Sequence, residues 1–267
     1  MSQTRERSSA KVERAHRRAQ REERKRTASS AKRAAVRRTE RLGRRRGLRR
    51  FVFENGISLV AVALFALSFA GQTAVGHRAH NDEQQQHGEP AISLGSYLRS
   101  GAFLEATAEN WESEFLQLGI FVLLTAFLYQ RGSSESKRVE EPEAVDQDPR
   151  EARNDPRAPW PVRRGGLSLA LYKHSLSIVL LLLFAVSFAV HAIGGAMEYS
   201  EEQLQHGGAP VSALAYVATS RFWFESFQNW QSEFFAVAVL VLLSIRLRQQ
   251  GSPQSKPVAA SADDTGE

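Results

Sequence analysis

The chain has 267 residues, 35 Lys and Arg against 29 Asp and Glu, and no cysteine. The missing cysteine excludes a disulfide framework, a thiolate metal site and a thiol nucleophile. The formal excess of +6 belongs to one stretch, because residues 1–50 hold 20 of the 35 basic residues against five Glu. The rest separates into four nearly pure apolar segments and highly charged connections, which excludes an evenly solvated single domain.

Residues 1–50 mix Ala, Arg and Glu, with Glu13–Arg17 and Glu22–Arg26 at i,i+4 spacing. They have no apolar face, so the composition predicts a disordered, solvated arm that either binds the anionic headgroups beside the first apolar span or serves only as an orientation signal and solubilising tail. The aromatic residues that stack on bases are absent from it, so nucleic acid is not the expected partner.

Residues 51–137 and 172–256 form two copies of one unit. Positions 53–137 and 172–256 align without a gap at an offset of 119, with 31 of 85 residues identical. Each copy predicts a two-helix hairpin. Ile57–Gly76 and its counterpart Leu176–Gly195 are 20 residues without Asp, Glu, Lys or Arg, enough to cross a hydrocarbon layer of about 30 Å at 1.5 Å per residue. The second spans, Phe115–Tyr129 and Phe234–Ile245, are shorter and reach a crossing length only if their helices begin near Trp111 and Trp230. Within the first spans, Ala66-x-x-x-Ala70 and Ala185-x-x-x-Ala189 offer small-residue surfaces for helix packing. Ala74-x-Gly76 resembles a signal-cleavage site, but the long basic arm and the repeated design predict an uncleaved span.

Lys and Arg set the direction. The arm and the 130–173 connection, with nine basic residues, belong inside, whereas the loops after the first span of each copy carry only Arg78 and Arg99, or Arg221. Both termini are therefore expected in the cytoplasm of a cell-membrane protein, and the two copies run parallel, related by an axis along the membrane normal. Residues 138–171 and 257–267 are polar and poor in bulky apolar residues, and read as a disordered linker and tail.

The loops carry the shared motifs. Glu83-Gln84-x-Gln86-His87-Gly88 returns as Glu202-Gln203-x-Gln205-His206-Gly207, and Asn110-Trp111-x-Ser113-Glu114-Phe115 as Asn229-Trp230-x-Ser232-Glu233-Phe234. Leu94, Tyr97 and Leu98 share a face that Phe103, Leu104 and Trp111 continue, as an interfacial amphipathic helix would. Trp111 and Trp230 fit an aromatic belt, Asn110 and Asn229 fit helix caps, and Glu114 and Glu233 fit the first turn of a helix or a cation-binding pair. Glu83 with His87, and Glu202 with His206, stand at i,i+4. They could meet as a two-Glu, two-His metal site, or could be solvated helix ends with the histidines at the negative pole. The second alternative is favoured, and no metal or other cofactor is expected. Glu83, His87, Trp111, Glu114, Glu202, His206, Trp230 and Glu233 are together the candidate outer-face binding residues.

The stretch from Arg49 through Glu54-Asn55-Gly56-Ile57, His87-Gly88-Glu89-Pro90, Tyr97-Leu98-x-Ser100-Gly101, Asn110-Trp111-Glu112-Ser113-Glu114-Phe115-Leu116-Gln117 and Gln130-Arg131-Gly132-Ser133 resembles a bacterial family of small membrane proteins of unknown function. The resemblance covers the first copy closely and the second loosely, leaves out the arm and the linker, and implies a membrane location without an activity. The expected fold is thus an all-α membrane protein of two parallel-repeat hairpins. The expected function is an accessory, sensing or partner-binding role, with homo-oligomers or a membrane partner as company and no catalytic machinery. The alternative is an oligomeric transporter or pore at the repeat interface.

Overall fold

The computed structural model describes residues 47–266. Most of the basic arm, with its expected lipid partner, lies outside the described residues. Among those described the chain is all-α, with no strand. It divides into two compact units, one ending at Gln72 and the other running Thr73–Glu267.

In the first unit, helix α1 (Leu48–Glu54) carries an Arg50–Glu54 ion pair of 2.8 Å. Asn55 ends it, returning both its backbone N–H and its side-chain amide to Phe51 O. Helix α2 (Gly56–Gln86) begins at once, and its early turns leave Val60, Leu64 and Leu67 exposed, with Ile57 at 87%. Ala66 and Ala70 are exposed as well.

The second unit holds the last turns of α2, then α3 (Leu94–Tyr97), α4 (Gly101–Phe127), α5 (Trp160–Arg164), α6 (Gly166–Lys173), α7 (Ser175–Gln205), α8 (Ala213–Val217) and α9 (Ser220–Ser244). Hydroxyl caps start the helices that follow the loops. Ser93 Oγ accepts from Ser96 N, Ser100 Oγ from Phe103 N, Ser212 Oγ from Ala215 N and Thr219 Oγ1 from Phe222 N. These caps satisfy amides that a helix start leaves without partners. They also correct the expectation for Asn110 and Asn229. Both lie mid-helix, donating their amides back to Ala106 O (2.7 Å) and Glu225 O (3.1 Å), because Ser100 and Thr219 begin α4 and α9 about ten residues earlier.

Each outer loop is fastened to the helix before it. Asn81 exchanges hydrogen bonds with both backbone groups of Ile92, and Ser200 does the same with Val211. The principal seam is α4 on α7, with α9 packed more lightly on α4. Glycine makes that seam possible. A Cβ on Gly194 would stand 2.6 Å from Glu105 N, and one on Gly101 would stand 2.4 Å from Glu198 N. Just beyond, Tyr216, Phe222, Ala192 and Ala196 form a small core, and the Tyr216 ring lies where a Cβ on Gly195 would be. Ala185 and Ala189 face outward, so the contact within this unit uses Ala192, Gly194 and Ala196 instead.

Two helices, α2 and α7, are long and apolar enough to cross a membrane. α4 and α9 reach 27 and 25 residues, but acids occupy their first halves. Residues 138–159 take short turns, including 3-10 turns at Ala144–Asp146 and Pro149–Ala152, before α5 and α6 begin. Near the chain end, Lys256 donates to the carbonyls of Ser261, Ala262 and Asp264.

The seam predicts that Gly194→Val destabilises the protein by about 1–3 kcal/mol or more, since overpacking here meets backbone and cannot be relieved by a rotamer change. Gly71→Val, with nothing within 4 Å of its Cβ, should have little effect. Thermal unfolding of the two variants in detergent checks the contrast.

Candidate functional site

Where α4, α7 and α9 meet, six ionisable side chains and a tryptophan converge on a largely buried centre. The α7 backbone carries His191, fully buried beneath the Phe222 ring at a centroid distance of 4.7 Å. Its Nδ1 donates to Glu112 Oε2 on α4 at 2.8 Å, and its Nε2 faces Glu225 Oε2 on α9 at 3.4 Å. Glu112, also 0% exposed, accepts from Trp230 Nε1 on its other oxygen at 3.0 Å. The Tyr216 hydroxyl lies between Glu225 Oε2 (2.5 Å) and Glu105 Oε1 (3.0 Å). Arg221 closes the group, with Nε on Glu225 Oε1 (2.9 Å) and a terminal nitrogen on Glu202 Oε2 (2.5 Å). Nearby, Asn229 donates to Glu109.

Counting donors shows what this arrangement demands. Ionised carboxylates only accept, and Tyr216 has one proton for two carboxylate oxygens. The two ring nitrogens of His191 are satisfied together only when each carries a proton or a cation takes one proton's place. Burial, and then the charge of Glu225, push the Glu105 carboxyl up to about 7. Burial acts in the same direction on Glu225, but hydrogen bonds from His191, Tyr216 and Arg221 outweigh it and hold that carboxyl below its ordinary range. Burial, and then the bond to Glu225, raise the Tyr216 phenol. Neighbouring carboxyls are thus driven apart in proton affinity, a pattern that marks functional sites as well as structural networks.

Residues 48–267 match a family described as a domain of unknown function, DUF6766. The chain belongs to that family. The match runs on through the linker, which the motif resemblance leaves out. No curated protein and no solved structure matches the chain.

The residues singled out from the repeated motifs occupy several places. Glu83, His87 and Glu202 line a small cavity of about 20 Å³ together with His80, Gln84, Glu198, Glu201 and Gln205. His206 is not among them. The His87 and His206 rings each bond a carbonyl of their own helix, at Glu83 O (3.1 Å) and Glu202 O (2.8 Å). Glu202 also reaches the central group through Arg221. Glu114 lies on the exposed side of α4, near enough to Glu233 for the two charges to repel. The two tryptophans differ. Trp230 holds Glu112, whereas Trp111 is 40% exposed.

Glu105, Glu112, Glu225 and Arg221 do not stand out in the sequence because they are not matched at the offset of 119, and Tyr216, though matched by Tyr97, lies outside the repeated motifs. At the offset of 119, Glu105 pairs with Phe224, Glu112 with Gln231, His191 with Gln72, and Arg221 with Ala102. One signal was available. Glu105, Glu109 and Glu112 fall at i, i+4 and i+7, a carboxylate stripe on a helix whose neighbouring turns are apolar. A solvated stripe reads the same way in sequence, so only the partner histidine on α7 distinguishes the two.

Removing one member of a buried ion pair strands the other. Glu112→Ala should therefore destabilise the protein by about 3–5 kcal/mol, while Glu114→Ala, two residues along on the exposed side, should stay within about 0.5 kcal/mol. Chemical denaturation of both variants in the same detergent measures the difference.

Proposed function

We propose that this chain is a four-span membrane protein, two parallel hairpins with both termini in the cytoplasm, that binds and senses at its outer face and is not a catalyst. The observation that carries the reading is the pairing of an apolar exterior with a buried polar centre. Leu182, Val186, Phe235 and Leu242 are each about 60% exposed or more on α7 and α9, a surface suited to lipid. Within the same unit, His191 at the middle of α7 and Glu112 on α4 are fully buried, and Glu225 near the start of α9 is largely so.

Further support comes from the matching of elements. α2 and α7 each run 31 residues from equivalent positions, and the hydroxyl caps, the loop fastenings and the left-handed Gly88 and Gly207 (φ 77° and 76°) recur at the offset of 119. A non-catalytic role is supported by His191 itself. Its nitrogens face carboxylates, whereas a nucleophilic mechanism needs a hydroxyl or comparable group against the base. The outward Ala185 and Ala189 would then face lipid or a second copy, and the basic arm would lie along anionic headgroups.

Single cysteines test the arrangement in a chain that has none of its own. A membrane-impermeant maleimide applied to intact cells should label Gln85→Cys and Leu204→Cys. It should leave Ser9→Cys, Val145→Cys and Ser261→Cys untouched until lysis. Val145 is 77% exposed, so its labelling before lysis would place the linker outside and overturn the two-hairpin reading.

A further inference from the structure

We infer that Glu105, His191 and Glu225 bind one divalent transition-metal cation, with zinc the best chemical match; this rests on the buried cluster being the protein's functional centre, and not on the direction of its spans. Three features lead to it. The first is distance. One ligand atom from each residue can be chosen so that all lie within 4.8 Å of one another. Two ligands about 2.1 Å from a tetrahedral ion stand about 3.4 Å apart. His191 Nε2 and Glu225 Oε2 are separated by 3.4 Å, long for a charge-assisted hydrogen bond, which closes to about 2.7–2.9 Å.

The second feature is the way the imidazole is held. Glu112 takes the Nδ1 proton at 2.8 Å and is fixed in turn by Trp230. That fixes the tautomer and leaves Nε2 to face Glu225, with Glu105 held beside them through Tyr216. A carboxylate behind a histidine is the usual support of a metal ligand, since it orients the ring and raises its basicity. Glu112 is therefore a positioning residue. Arg221 occupies the far oxygen of Glu225 and leaves Oε2 facing the histidine. The Tyr216 oxygen, in reach of both glutamates, or a water supplies the fourth position.

The third feature is charge. Glu105, Glu112 and Glu225 bring three negative charges and Arg221 one positive charge. A divalent ion bound by a neutral imidazole brings the enclosed sum to zero, the condition under which burying so many ionised groups is least costly. Around this centre, Glu109, Glu198 and Glu202 add acidic groups that favour a cation over an anion. Nitrogen and oxygen donors without sulfur suit zinc or manganese, and the imidazole favours zinc. The pairing of Glu83, His87 and Glu202 lacks this support, because the His87 ring is turned to its own helix.

The test uses the full chain in detergent, stripped with a chelator and titrated with Co²⁺ as a spectroscopic probe. One Co²⁺ per chain should bind with the visible absorption of a four-coordinate ion, and Zn²⁺ should displace it. Glu105→Gln and Glu225→Gln should each weaken binding by about tenfold or more, and so should Glu112→Gln through the imidazole. Glu83→Gln and His87→Gln should leave it unchanged. Absence of saturable binding by the unsubstituted chain overturns the inference, as does binding that survives both Glu105→Gln and Glu225→Gln or that follows His87→Gln. Since a variant can fail to fold, the zinc-loaded parent chain is also examined by X-ray absorption. One imidazole among nitrogen and oxygen neighbours at about 2.0–2.2 Å is expected, and two imidazoles or oxygen alone overturn the site. Cysteine labelling in the proposed topology together with no metal binding removes this inference and leaves the membrane reading intact. Metal binding together with Val145→Cys labelled before lysis does the reverse.

Discussion

A buried imidazole with a carboxylate at each nitrogen is the constraint around which the second unit is arranged. His191 comes from α7, Glu112 from α4 and Glu225 from α9, so one ring sets the relation of three helices. An isolated charge in such a place would cost several kcal/mol in lost hydration, and only close, well-directed partners offset it. The neighbouring contacts serve that need. Trp230 fills the second oxygen of Glu112, Arg221 and Tyr216 fill those of Glu225, and the Phe222 ring covers the imidazole. The glycines of the α4–α7 seam bring the backbones close enough for the 2.8 Å contact to form.

The two segments that align at the offset of 119 contribute unequally to this centre. What they share is structural in kind: the hydroxyl caps, the loop fastenings, and a tyrosine lying over a glycine, Tyr97 with Gly76 and Tyr216 with Gly195. What they do not share supplies the chemistry. The α4 stripe of Glu105, Glu109 and Glu112 faces Arg221, Glu225 and the α7 histidine, with an apolar or amide residue at most of the reciprocal positions. Matched positions hold the scaffold, and positions that differ between the segments hold most of the site.

This division explains what could be read from the chain beforehand. The all-α class, the long apolar helices α2 and α7 and the helical segments at the loop ends follow from residue patterning, because an uncharged run of 20 residues has few other ways to satisfy its backbone. The helix starts were placed late, at Asn110 and Asn229, because an asparagine before a tryptophan looks like a cap until Ser100 and Thr219 are seen to hold that role. The centre itself was hidden for a different reason. Glu112 continues the Glu105–Glu109 stripe and Glu114 does not, but a solvated face carries the same stripe, and only α4's packing turns Glu112 into a fully enclosed partner of His191 and Glu114 outward. Which side of a helix is buried depends on a partner 79 residues away, and no local pattern encodes it.

The arrangement of Glu112 on one side of the linker and His191 on the other has a consequence for the continuity of the chain. A single hairpin with neutral residues at both positions could pair with a second copy of itself and separate again. Once the acid resides in one half and the imidazole in the other, each half carries an unmet charge when alone. Cutting the chain between residues 137 and 172 would then leave two pieces, each holding one member of a buried pair whose partner lies on the other.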